Sequence, residues 1–209
     1  MNMSRDDREI DFEAVRQTLV NYLEEGNLDG FREVFMDLHN YEQGEIYQTI
    51  TDEQRNTLYH FLSPQEVSDF FDLLELEADE YEELLDKIDA RYAAHIIGAM
   101  QYDNAVDILN EISREKMTTY LPLMNKEDAA EIRSLMNYEE DTAGGIMTTE
   151  IVSINSEMTV REAMRYLKEV APESEMIYYL FVTDSANHLA GIISLRELIV
   201  ADDDEYIGD

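Results

Sequence analysis

The chain has 209 residues, 44% of them hydrophobic, which is enough for one large or two small domains with a real core. Its 48 Asp and Glu residues outnumber 15 Lys and Arg, and the net charge of -33 argues against nucleic acid and anionic membranes as partners and favours cations or basic proteins. Cysteine is absent, which excludes disulfides and Cys-bound zinc, and no apolar run reaches the roughly 18–20 residues of a membrane span, so we expect a cytoplasmic type of protein.

The first predicted elements are amphipathic helices. Apolar residues recur at helical spacing over residues 10–25, and Gly26 with Asn27 ends that helix. A second helix is predicted to start behind Asp29 and Gly30. Both helices carry apolar residues on one face, so both are expected to pack on neighbours.

A repeat of twelve residues follows. It is marked by the last strong apolar residue of each segment, and seven of the eight steps between these residues are twelve long. The residues are Leu38, Ile50, Leu62 and Leu74, then, after a two-residue insertion, Ile88, Met100, Ile112, Met124 and Met136. A period of this length leaves about eight helical residues and a turn, too few for a helix that stands alone. The repeat therefore predicts a helical solenoid or superhelix, and the regularity disfavours chance spacing in an ordinary bundle.

Each period opens with polar residues that suit the start of a helix. Ser63 is a predicted N-cap, Pro64 fits the first helical position, and Glu66 completes a capping box. Acidic residues in the first turn also suit the helix dipole. These signals support many short helices rather than a few long ones.

The composition changes over residues 138–147, which contain three consecutive acids and the chain's only Gly-Gly pair. Because glycine readily adopts positive φ, Gly144 and Gly145 are predicted to end a helix sharply. This stretch is therefore predicted to be a hinge that leads into a second domain.

The second domain is predicted to have the order β-α-β-β-α. Its strands are rich in β-branched and aromatic residues, and Thr159 with Glu162 forms a capping box at the start of its first helix. The predicted strands are 151–154, 177–182 and 189–193; the helices begin at Val160 and Leu195. Pro172 is expected to break the first helix, and Ser194 to cap the second.

This β-α-β-β-α unit, with Gly-Ile-Ile-Ser-Leu-Arg-Glu-Leu at 191–198, resembles a CBS motif. An acidic repeat of short helices, then Tyr-Glu-Glu-Asp-x-Ala-Gly-Gly-x-Met at 138–147, then a CBS motif ending Ser-Leu-Arg-Glu-Leu-Ile-Val-Ala-Asp, resembles the cytosolic part of MgtE magnesium channels over almost the whole chain. We therefore predict a multidomain fold of α plus α/β class. It is a right-handed superhelix of helical repeats of about 12 residues followed by a CBS motif.

The predicted boundaries follow from this order. Residues 1–137 form the acidic helical N domain, 138–147 the hinge and 148–201 the CBS motif. Residues 202–209 begin an acidic linker to a second CBS motif, which this chain lacks.

The resemblance implies a regulatory role at the cytoplasmic face of the cell membrane. In that family a membrane domain follows the cytosolic part and forms a dimeric Mg²⁺ pore. The expected partners are the chain's own missing second CBS motif and transmembrane domain, in a homodimer. The fragment itself is expected to sense Mg²⁺ without transporting it: ions that bridge acidic faces of the N and CBS domains favour a compact, pore-closing state.

Asp103 and Asp107 are the candidate Mg²⁺ ligands that the residue pattern itself indicates. At positions i and i+4 of one helix they present two carboxylates on one face, and Mg²⁺ prefers oxygen ligands. The resemblance adds an acid at Asp69 and the backbone carbonyl of Gly145. The alternative for each acid is a solvated surface residue.

A nucleotide site is implied by the resemblance at Tyr179, Arg196 and Glu197. An aromatic ring can stack on adenine, an arginine can bind phosphate, and a carboxylate can accept hydrogen bonds from ribose hydroxyls. The alternatives are a tyrosine packed in the core and a surface pair of Arg196 with Glu197. ATP is therefore a candidate ligand beside Mg²⁺.

Catalysis is not predicted. The four histidines lie in unrelated places, and the sequence has no H-E-x-x-H, G-x-S-x-G or glycine-rich phosphate loop. The rival function is an acidic helical-repeat scaffold for a basic protein, with an adenylate-sensing CBS unit. A salt-sensitive basic partner, without a specific effect of divalent ions, would favour that rival.

Overall fold

The computed structural model describes residues 12–74, 76–139, 141–171, 174 and 176–209. Predictions that fall on the first eleven residues, Glu140 and Pro172 lie outside the described residues. The elements in chain order are α1 Phe12–Glu25, α2 Leu28–Phe35, α3 Asn40–Thr49, α4 Asp52–Phe61, α5 Pro64–Phe71, α6 Ala78–Asp86, α7 Ala90–Ala99, α8 Tyr102–Glu111, α9 Arg114–Tyr120, α10 Lys126–Leu135, β1 Ile151–Asn155, α11 Val160–Val170, β2 Met176–Thr183, β3 Leu189–Ser194 and α12 Leu195–Val200.

Two compact units divide the chain, one ending at Gly145 and the other beginning at Ile146. We call them the helical unit and the CBS unit. The division falls within the stretch predicted as a hinge, and the predicted domain boundaries remain predictions. None of the helices in the described ranges is long and apolar enough to cross a membrane.

Buried apolar residues at the helix ends explain the twelve-residue period. Ile50, Leu62, Met100 and Ile112 each follow the last residue of a helix, have an extended backbone, and are 3–6% exposed. The next residue is already the N-cap of the following helix. Ten helical residues and a two-residue connection therefore make up the period of α3, where eight helical residues and a turn were predicted.

Helices of the helical unit pack on their second neighbours. α3 contacts α5, α5 contacts α7 and α7 contacts α9; on the other side α6 contacts α8 and α8 contacts α10. Large side chains at zero to 1% exposure fill the space between the early helices: Phe31, Phe35, Tyr47, Phe70 and Phe71. This stacking confirms the prediction of a helical-repeat domain, while the hand of the superhelix remains a prediction.

Glycine and asparagine at the first helix boundary act partly as predicted. Gly26 has φ +69 and follows the end of α1, as expected for a helix stop. The second helix, however, starts before Gly30, not behind it. The side chain of Asn27 caps it by accepting a hydrogen bond from the Gly30 N–H at 3.1 Å.

The prediction that Gly144 and Gly145 end a helix through positive φ is wrong. The last helix of the helical unit ends at Leu135, and Gly26 alone among the glycines of the described residues has positive φ. A glycine is needed at 144 for another reason. A Cβ atom there would overlap the ring of Tyr138, so only glycine allows this close approach.

The CBS unit has the predicted β-α-β-β-α order. β1 pairs with β2 in parallel and β2 pairs with β3 antiparallel, giving the sheet order β1-β2-β3. Its buried core consists of Val152, Ile154, Val160, Ala163, Leu167, Leu180, Val182 and Leu198. The core thus joins both helices to one face of a small mixed sheet.

Residues 202–209, predicted as the start of a linker, lie against the CBS unit. The N–H groups of Val160 and Ile207 donate to the carbonyls of Glu205 and Met158, at 2.9 Å each. Ile207 also packs against the core, and Thr159 forms an antiparallel bridge with Tyr206. Residues 202–209 therefore pack against the start of α11 and belong to the CBS unit.

Candidate functional site

α8 positions two of the four predicted Mg²⁺ ligands. It begins after Gln101, so Asp103 and Asp107 lie one turn apart on one face, as the spacing predicted. Asp103 is partly buried, and its Oδ1 accepts a hydrogen bond from the N–H of Asn104 at 3.0 Å. Asp107 is exposed. Two carboxylates at this spacing repel each other, and a divalent cation would relieve that repulsion.

An acidic cleft lies beside Asp107. It has a volume of about 240 Å³, and the carboxylates of Asp72 and Glu111 line it together with Asp107. The pKa of the Tyr81 phenol in the same cleft is raised, first by burial and then by the negative charges of Glu111 and Asp72. The cleft is therefore electronegative. Asp72 was not predicted, because it follows the end of α5 and no local pattern connects it to α8. Glu111 was missed although it lies four positions after Asp107 on α8, so the spacing that indicates Asp103 and Asp107 could have found it.

The other predicted metal ligands lie elsewhere in the helical unit. Asp69 is exposed on α5, and its backbone carbonyl accepts a hydrogen bond from Asn40 Nδ2 at 3.0 Å. The Gly145 N–H donates to the Thr142 carbonyl and hydroxyl at 3.0 and 3.2 Å, which holds this turn. Over the described part of the chain, no group of three or more Asp, Glu or His side chains is placed to hold a metal ion. Among the residues that the structure describes, the predicted Mg²⁺ ligands are therefore not gathered into one coordination shell.

The predicted nucleotide residues lie on β2 and α12, on either side of Ser194. In the antiparallel register Tyr179 of β2 lies opposite Ser194, the last residue of β3 and the N-cap of α12. Arg196 and Glu197 follow in the first turn of that helix. Tyr179 is 58% exposed, so the alternative of a core tyrosine is wrong. An aromatic ring and a guanidinium are thus available to solvent at one corner of the CBS unit.

Glu197 has a structural role beside its predicted contact with ribose. Its Oε2 accepts hydrogen bonds from the N–H and the hydroxyl of Ser194 at 2.8 and 2.7 Å, which completes a capping box. These bonds, the backbone one first, lower the pKa of Glu197. The carboxylate is therefore ionised and held at the start of α12 as a hydrogen-bond acceptor.

Stacked short helices followed by a β-α-β-β-α unit define a CBS protein with a helical N-terminal domain, and comparisons with known proteins agree. The model of the MgtE intracellular N domain matches residues 38–141, and that of the CBS domain matches 143–204. A magnesium transporter MgtE of Enterococcus faecalis is 46% identical over 191 residues, which are 91% of this chain and 42% of that protein. The chain belongs to the MgtE family.

Solved structures support the same assignment. The crystal structure of the soluble part of a magnesium transporter matches with a TM-score of 0.90 and 45% identity, over 94% of this chain and 77% of that one. The cytosolic domain of the Mg²⁺ channel MgtE in complex with ATP matches with a TM-score of 0.78 and 30% identity, over 92% and 78% of the two chains. The curated relatives are transporters and not enzymes, in agreement with the prediction of no catalysis. This chain spans less than half of their length.

Proposed function

We propose that this chain is the Mg²⁺-sensing regulatory region of an MgtE-type magnesium channel, at the cytoplasmic face of the membrane. Mg²⁺ binds between acidic faces of the helical and CBS units, lowers their repulsion and favours a compact state that closes the pore. A ligand shifts such an equilibrium only when it prefers one state, and a cation prefers the state in which carboxylates approach each other. The fragment itself does not transport ions.

The observation that carries this proposal is the pair Asp103 and Asp107 on α8, with Asp107 in the electronegative cleft. Mg²⁺ keeps several waters and is often held by only one or two carboxylates. Incomplete ligand sets suit a weak sensor that needs further groups to close around the ion. Asp69 and the Gly145 carbonyl are proposed to contribute to such sites.

The test is Mg²⁺ binding to a chain extended through its second CBS motif, by calorimetry, with limited proteolysis of residues 138–147 as a second readout. Asp103→Asn with Asp107→Asn is expected to weaken binding at least tenfold and to abolish the protection by millimolar Mg²⁺. Glu127→Gln with Glu131→Gln is the matched control, because these acids are exposed at the same spacing on α10. Equal losses in both variants, or no effect of Mg²⁺ on the parent chain, would contradict the proposal.

The exposed apolar residues of the CBS unit support the proposed partners. Ile151, Tyr178, Leu189 and Ile192 on the strands are 49–72% exposed, and Ile199 of α12 is 63% exposed. Exposed apolar residues in such numbers are typical of a protein interface. We assign them to contact with the chain's own second CBS motif, within a homodimeric full-length protein that includes the transmembrane domain.

A second ligand is favoured by the corner formed by Tyr179 and Arg196. We propose that ATP binds there, with its adenine on Tyr179, its phosphates at Arg196 and its ribose at Glu197. The related cytosolic domain that was solved in complex with ATP supports this choice. Equilibrium dialysis is expected to give at least tenfold weaker ATP binding for Tyr179→Ala and for Arg196→Gln. Tyr206→Ala is the control, since its side chain is 55% exposed, close to the 58% of Tyr179, and it pairs with Thr159 at the start of α11. Equal binding by all variants would exclude the site.

A further inference from the structure

The basic residues of the CBS unit are concentrated on one helix. Residues 146–209 contain four Lys and Arg against 13 Asp and Glu. Three of these four, Arg161, Arg165 and Lys168, are exposed on α11 at positions i, i+4 and i+7. We call these three residues the basic stripe. It lies on the face of α11 that points away from the buried Leu167, so it is directed to solvent.

Contacts within the CBS unit leave most of the basic stripe available. Arg161 contacts Asp203 and Asp204 at 3.2 Å each, but the three side chains are 56–88% exposed. Exposed pairs of this kind contribute little and exchange readily. Arg165 and Lys168 form no salt bridge with any of the described residues. The stripe is therefore a cationic surface on a unit whose net charge is negative.

α6 of the helical unit carries the complementary pattern. Asp79, Glu83 and Asp86 are exposed there at positions i, i+4 and i+7, and we call them the acidic stripe. Glu83 and Asp86 also contact Lys87 and Lys116, yet their side chains remain 73% and 66% exposed. The two stripes have the same spacing and opposite charge, so they match position by position when the helices run in the same direction.

We propose that the basic stripe of α11 docks on the acidic stripe of α6 in a second copy of this chain. Charge complementarity selects this partner, because residues 1–145 contain 35 Asp and Glu against 11 Lys and Arg. The contact is weak, since exposed ion pairs are screened by salt over a Debye length of about 8 Å at physiological ionic strength. It goes beyond the proposed function, because it requires neither Mg²⁺ nor a nucleotide.

Sedimentation velocity of the chain at several hundred micromolar tests this contact without Mg²⁺. Self-association is expected in about 20 mM NaCl and is lost in about 500 mM NaCl, because salt screens the attraction between the stripes. If the copies only repelled each other, added salt would increase their association instead. Arg165→Glu with Lys168→Glu is expected to weaken association at least tenfold. The control is Lys126→Glu with Arg133→Glu, at two exposed residues of α10, which changes the net charge by the same amount as the α11 variant. This control is expected to weaken self-association less than threefold.

A mixing experiment identifies the partner surface. Asp79→Lys with Glu83→Lys is also expected to abolish self-association. An equimolar mixture of this variant with Arg165→Glu, Lys168→Glu regains it, because one chain keeps the acidic stripe and the other keeps the basic stripe. Circular dichroism verifies that each variant is folded. A monomeric parent chain at low salt, an equal loss in the α10 control, or a mixture that stays monomeric would each overturn the proposal.

Discussion

Single residues at helix starts were the most predictable part of this protein. The capping boxes of Ser63 with Glu66 and Thr159 with Glu162 are present as the sequence indicated, because both partners lie within one turn. Gly144 is the opposite case. Its small size is required by the ring of Tyr138, a contact that no spacing rule contains. Local hydrogen bonds can therefore be predicted from the sequence, whereas contacts between turns and side chains cannot.

Glu66 has a second role that the sequence did not indicate. Beside capping α5, its carboxylate forms a two-bond ion pair with Arg32 of α2, at 2.6 and 3.1 Å. This pair is the main reason that the pKa of Glu66 falls to about 2. Glu66 thus links α5 to α2, through an arginine that lies 34 positions earlier in the sequence.

We expect Glu66→Gln to lower the free energy of unfolding by about 1–2 kcal/mol at pH 7, a value reduced for the partial exposure of Arg32. Because the folded pKa lies below the unfolded value of 4.5, this contribution is complete above pH 4.5 and is lost as the pH falls towards 2. Urea unfolding of both proteins across this range measures it. The difference in unfolding free energy between the parent chain and Glu66→Gln should shrink as the pH falls. Glu131 is an exposed acid on α10, so Glu131→Gln should change neither the stability at pH 7 nor its dependence on pH.

At the scale of the element, the connections between helices determine the architecture. A buried apolar residue and an N-cap, both with extended backbone, are enough to end α4 and start α5. The period was predicted from the apolar residues alone, but the lengths of helix and turn were not, since a C-cap and a last helical residue look alike in sequence. The acidic cleft was also unpredictable, because it combines the end of α5 with α6 and α8, and the packing of α6 on its second neighbour α8 is a property of the folded chain.

Leu62 tests the importance of these connections. It is 4% exposed at the end of α4, so Leu62→Ala is expected to reduce the free energy of unfolding by about 2–4 kcal/mol through lost burial and a cavity. Leu73→Ala is the matched control, because Leu73 is 47% exposed and its truncation should cost less than about 1 kcal/mol. Denaturant unfolding compares them. Similar values for both would mean that the connection residue is not an anchor.

For the whole molecule, the order of units and the family were predictable, and the assembled sites were not. Acidic helices, a Gly-Gly stretch and a β-α-β-β-α pattern occur in a specific order along the chain, and order is a property that sequence contains directly. Coordination shells and interfaces depend on residues brought from several elements or from other chains. Asp103 and Asp107 were therefore found as a pair, while the position of Asp72 beside Asp107 and Glu111 came only from the structure.

The packing of each helix on its second neighbour limits how this kind of protein can change length during evolution. Insertion of one period would move every later helix to the opposite layer and would expose the side chains that are now buried. Insertion or loss of two periods, about 24 residues, keeps each helix in its own layer and keeps Leu62 and its equivalents at their connections. Gene duplication should therefore add such helices in pairs, and an odd helix should be found only at an end of the array.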